Sequence, residues 1–157
     1  MKNKQLQKWA LGAEIVSAIA VIATIGFLAF QTMENTNALQ AQTFQALMRD
    51  TFDWRATVNE PNNMELRAKW FQEGYENLTQ IEQLQIRGND LLLWGIYESA
   101  YFANERRVLG SEEWTRFKVA ICRNYKRDEV FWDYEGMTSF SELLTPQFMR
   151  FIVDTCI

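Results

Sequence analysis

One stretch constrains this chain more than any other: WALGAEIVSAIAVIATIGFLAF, from Trp9 to Phe30. Its 22 residues carry a single ionisable side chain, Glu14, and no proline. At about 1.5 Å of rise per residue, a helix of that length reaches roughly 33 Å, enough to cross a hydrocarbon core of about 30 Å. The run predicts a transmembrane helix over residues 9–31. A cleaved signal peptide has an apolar region of about 7–15 residues followed by a small-x-small site. Here the best such triplet, Ala18-Ile19-Ala20, lies inside the run, and its far end, Leu28-Ala29-Phe30-Gln31, is bulky. The expectation is an uncleaved signal anchor.

Charge sets the orientation. Lys2, Lys4 and Lys8 precede the span, and the next basic residue is Arg49. The positive-inside tendency keeps residues 1–8 in the cytoplasm and sends the rest out, in a bacterium through the inner membrane to the periplasm. The span itself has two unlike faces. At 100° per residue, Ala10, Ala13, Glu14, Ser17, Ala20, Thr24 and Gln31 fall together, opposite Leu11, Ile15, Ile19, Ile22, Ile25 and Phe30. Small and hydroxyl-bearing residues let helices approach closely, and an ionisable group at membrane depth usually faces protein or water. This side predicts packing against another membrane helix, a partner's or a second copy's. The plainer alternative is that Glu14 reaches the cytoplasmic headgroups and the stripe has no partner.

Beyond the span there is room for one small domain. Setting aside Lys2, Lys4, Lys8 and Glu14 leaves 13 basic against 19 acidic residues, a net of about −6. No basic stripe supports nucleic-acid binding. The chain has no histidine, which excludes histidine-dependent triads and nearly every common zinc or iron site, including the Glu-x-x-His pairs of helical di-metal bundles. Its two cysteines, Cys122 and Cys156, lack C-x-x-C spacing. In an oxidising compartment they form a natural disulfide candidate, with two buried free thiols as the alternative.

No segment alternates with period two over strand length, so the fold expected is all-α. Residues 32–58 read as a helix continuing from the span as a stalk, with Phe44, Leu47, Met48, Thr51, Phe52 and Arg55 on one face. Asn59-Glu60-Pro61-Asn62-Asn63 reads as a turn, and residues 59–157 as a helical ectodomain. Within it, Met64–Glu73 is expected as a short helix with Leu66, Trp70 and Phe71 inward, closed by Gly74. Thr79 with Glu82 has capping-box spacing and opens a helix reaching about Val108, with Ile81, Leu84, Leu91, Trp94, Tyr97, Tyr101 and Phe102 as its apolar stripe. Ser111 opens the next helix, with Glu112 and Glu113 in its first turn. After the aromatic segment Val130–Tyr134, Ser139 with Glu142 repeats the capping spacing, and Thr145-Pro146 opens a last helix carrying Phe148, Phe151 and Ile152.

This order of features resembles a family of small single-pass bacterial membrane proteins. The shared features are a basic tail, a transmembrane helix, the run Asn35-Thr36-x-Ala38-x-x-Ala41-x-Thr43-x-Gln45-Ala46, an Asn-Glu-Pro turn, Glu112-Glu113-Trp114 and a terminal Thr-Pro-x-Phe helix. The resemblance implies the topology and the helical fold, and no activity. The cysteine pair stands outside that pattern.

Acids beside aromatics are the only features that resemble an active site: Glu98 and Glu105 near Trp94, Tyr97, Tyr101 and Phe102, and Asp133 and Glu135 beside Trp132 and Tyr134. A carboxylate in an apolar pocket can serve as a general acid. Arg106, Arg107, Arg123 and Arg127 offer ion-pair partners, which favours a structural role. No catalytic, cofactor-binding or metal-ligating residue is assigned. The function expected is a non-enzymatic, membrane-anchored interaction module, an accessory subunit or a homo-oligomer. The alternative is an extracytoplasmic ligand-binding or sensor domain, which would have to act through a partner because the tail is too short for an output domain.

Overall fold

The structure, a computed structural model, describes the backbone of residues 2–127 and 140–156, with their side chains except those of residues 2–8, 10, 140 and 141. Among the described residues all regular structure is helical: α1 (Lys2–Val58), α2 (Pro61–Glu73), a 3-10 turn (Tyr75–Asn77), α3 (Gln80–Glu105), α4 (Ser111–Arg127), α5 (Phe140–Leu143) and α6 (Pro146–Cys156). The chain divides into two units, Met1–Leu39 and Gln40–Ile157. In the first, every side chain described is exposed, including Trp9, Ile22 and Phe27. The helix is long and apolar enough to cross a membrane, and none of that apolar stretch is buried.

The second unit has a core. Trp94, Phe148, Ile86, Leu93, Ile121 and Ile152 are its largest fully buried apolar side chains, supplied by α3, α4 and α6. From α1, Leu47 is buried, and Phe44 and Trp54 pack against the cluster. Helix α4 packs on α3 and α6, and α2 packs on α3. Aromatic rings knit α3 to α6: Trp94 lies 6.4 Å from Phe148, and Tyr101 lies 4.9 Å from Phe151 and 5.5 Å from Phe148.

Local chemistry sets the helix ends. Gly74, at φ 87°, takes the left-handed backbone that stops α2, where a Cβ would overlap the Glu76 carboxylate. Thr79 and Glu82 form the reciprocal capping box of α3: the Glu82 N–H donates to Thr79 Oγ1 at 3.4 Å, and the Thr79 N–H donates to Glu82 Oε2 at 2.8 Å. Lys69 of α2 donates to the same carboxylate at 2.8 Å. That ammonium, and then the Thr79 donors, hold the Glu82 pKa down to about 2, while the carboxylate raises that of Lys69.

Three expectations are corrected. Helix α2 begins at Pro61, three residues before Met64, because proline suits the first helical position and the turn needs only Asn59 and Glu60. Helix α3 ends at Glu105 instead of about Val108. Arg107 turns left-handed at φ 59°, and the Val108 N–H reaches back to Ala103 O at 2.9 Å in a Schellman-type closure. The second compact unit, which begins at Gln40, includes residues 40–58 of α1. Finally, Phe71, Ile81 and Leu84 are exposed instead of inward.

That last correction has a clear physical cause in α3. Its first turns bury Gln83, Ile86 and Asp90, and not Ile81 and Leu84. Gln83 Nε2 donates to Tyr75 O at 2.9 Å while the Tyr75 hydroxyl donates to Gln83 O at 3.1 Å. Asp90, fully buried, accepts from Arg67 at 2.5 Å. Because these polar groups find partners inside, the helix can present them to the core.

Candidate functional site

Three sets of residues are candidates, and each is built from its own helix upward. On the first unit, the side chains of Ala13, Ser17 and Ala20 line one shallow groove of α1 together with Trp9, Gly12 and Val16. Small side chains at i, i+4 and i+7 leave the backbone accessible along that side. Gly12 and Val16 were not singled out from the wheel. Glu14, Thr24 and Gln31 are exposed, and the Thr24 hydroxyl donates to Ala20 O at 2.8 Å, so it is already engaged within the helix.

In the second unit, Cys122 of α4 and Cys156 of α6 are joined by a disulfide, with their Cα atoms 4.9 Å apart. The bond ties the end of the described chain to the helix on which it packs. Closing a loop of 34 residues stabilises the fold by roughly 3–4 kcal/mol in the chain-entropy view.

The candidate acids separate. Glu98 accepts the Thr145 backbone N–H at 2.7 Å. Thr145 in turn caps α6 by accepting the Phe148 N–H at 3.4 Å, with Pro146 at the first helical position. Glu98 thus anchors the start of α6 against α3. Glu105 is exposed. Asp133, Glu135 and the Ser139 cap lie outside the described residues, as does the aromatic segment Val130–Tyr134. Among the described residues, no three His, Cys, Asp or Glu side chains gather to hold a metal.

The sequence did not reveal a polar seam beneath α1 and α2. The Trp54 indole N–H donates to Asn89 O at 2.6 Å. The buried Asn63 amide donates to Thr57 O at 2.7 Å and accepts from Gln85 and Asn89 at 2.8 and 3.1 Å. These bonds fix the α1–α2 corner to α3, with every partner supplied by the chain itself.

Nor did it reveal a groove between α1 and α4. Phe44, Met48, Thr51 and Arg55, at i, i+4, i+7 and i+11, form one wall, and Arg116, Phe117, Ala120 and Arg123 form the other. The buried Tyr97 of α3 reaches its floor, where it takes a hydrogen bond from Asn124. The groove, open to solvent along its mouth, has a volume of about 240 Å³. Arg116 is paired with Glu112 at 2.6 Å, one turn earlier on α4. Arg55 lies 6.0 Å from the centre of the Phe52 ring, within cation–π range. Among the described residues neither Arg55 nor Arg123 has an ion-pair partner. No sequence pattern joins Arg55 to Arg123, 68 residues later, so only the fold could bring these arginines to one cleft.

No family model, curated protein or solved structure matches this chain.

Proposed function

We propose that this chain is a non-enzymatic, membrane-anchored helical interaction module, held in a bacterial inner membrane by α1 with its folded unit on the extracytoplasmic side. The observation that carries the reading is the first unit: an apolar helix long enough to span a bilayer, none of it covered by the chain. So much contiguous apolar surface is untenable in water and needs lipid or protein around it. The small-residue side through Ala13, Ser17 and Ala20 supports helix packing with a partner or a second copy, because lipid gains nothing from such a side. The disulfide supports the extracytoplasmic placement, since such bonds persist in oxidising compartments.

Extraction of native membranes in a mild detergent, followed by light scattering and mass spectrometry, tests the module. The expected result is a particle larger than one chain, containing further copies or a constant partner. A clean monomer with nothing attached would contradict it. A second reading, a ligand-binding ectodomain acting through a partner helix, draws its support from one feature: the arginine-edged groove between α1 and α4.

A further inference from the structure

We propose that the groove between α1 and α4 binds a small amphipathic carboxylate: an apolar body, aryl or short alkyl, carrying one carboxylate that Arg55 and Arg123 receive. The proposal deepens the ligand-binding reading and does not depend on whether the chain assembles with partners.

Three observations converge on this ligand class. The middle of the groove is apolar, walled by Phe44 and Met48 on one side and by Phe117 and Ala120 on the other, with Tyr97 beneath. Burying an aryl or alkyl group there removes apolar surface from water on both walls. At about 240 Å³ the groove has room for one ring or short chain. The third observation is electrostatic. The sequence carries 20 acidic against 16 basic residues, so an arginine in it has many acids to pair with. Arg55 and Arg123 nonetheless stand at this groove without an ion-pair partner among the described residues, and both are exposed. A guanidinium offers a planar fork that matches a carboxylate, and a charge-assisted pair at the edge of an apolar cleft is stronger than one in open water. Arg116 is held by Glu112 and serves as wall, not as receptor.

The same chemistry accounts for selectivity. A neutral analogue keeps the apolar contact and loses the ionic one. A cationic analogue brings a charge against the two guanidinium groups, which like-charge repulsion disfavours.

The test uses the full chain in phosphatidylcholine nanodiscs, which carry no net charge, with three soluble probes: 3-phenylpropionate, 3-phenylpropan-1-ol and 3-phenylpropylamine. Binding is followed by NMR shifts of Phe44, Met48, Thr51, Phe117 and Ala120. The expected result is saturable shifts at these residues with phenylpropionate. The alcohol should bind about tenfold more weakly, and the amine should not measurably bind. R55Q and R123Q should each weaken phenylpropionate about tenfold and leave the alcohol unchanged, while R106Q, away from the groove, should change neither. Equal binding of all three probes would overturn the proposal. So would shifts confined to residues outside the groove, or unaltered affinity in R55Q and R123Q. If the variants fail to fold, the three-probe comparison on the native chain still decides. Loss of this binding leaves the membrane anchor standing, and a water-soluble chain that binds phenylpropionate would leave the groove standing.

Discussion

The two units of this protein use apolar residues in opposite ways. In residues 9–30 they surround the helix, and every side chain described there is exposed. In residues 40–58 of the same helix they are one-sided: Leu47 is buried and Phe44 and Trp54 pack on the core, while Arg49 and Asp53 face outward. A helix apolar all round asks for an apolar medium, and a helix apolar on one side asks for a core on that side and water on the other. The contrast teaches that one continuous helical element (Lys2–Val58) carries two solvent assignments, and that the pattern changes near Leu39, where the two units divide.

The contrast can be broken first by cavity formation. Trp94→Ala and Phe148→Ala each remove a fully buried ring and should cost about 3–5 kcal/mol in denaturant unfolding. Ile22→Ala, at a position 71% exposed, should leave the unfolding of the second unit unmoved. Comparable losses at both places would erase the distinction. Next in size is the disulfide. Replacing Cys122 and Cys156 together by serine should lower stability by roughly 3–4 kcal/mol, read from the denaturant midpoint at unchanged slope. A smaller effect is expected at the start of α6, where Thr145→Ala removes the side-chain cap and should cost about 1 kcal/mol.

The smallest effect is a pH dependence confined to the second unit. Glu82 is held at about 2 when folded, below its ordinary 4.5, by Lys69 first and then by the Thr79 donors. A depressed carboxylate pKa means the unfolded chain takes up the proton first. Its contribution is therefore complete above pH 4.5 and is lost as pH falls through 2. Glu82→Gln should destabilise at neutral pH, and the gap to the native chain should close across that acid window in thermal unfolding scans. A gap that stays constant would assign the effect to packing instead of charge.

Local signals were legible in the sequence and long-range polar ones were not. Thr79 with Glu82, Thr145 before Pro146, and Gly74 announced their helix ends because each motif completes itself within a few residues. The long apolar N-terminal helix was legible for the same reason. Pro61 misled because one residue type both ends helices and begins them, and Arg107 because a non-glycine residue took the left-handed turn. The inward face of α3 was read from its apolar residues. That placed Ile81 and Leu84 in the core, where Gln83 and Asp90 sit with partners from the Tyr75 turn and α2. The groove was illegible because Arg55 and Arg123 come to line one groove only in the folded second unit.

The central claim is that α1 holds this chain in a bilayer. Alkaline carbonate washing of native membranes, with an intact-mass measurement of the chain recovered, tests it most directly. The account predicts that the full-length chain, residues 9–30 included, stays with the lipid pellet. A chain released to the supernatant, or one whose mature N-terminus lies at or beyond Gln31, would contradict it.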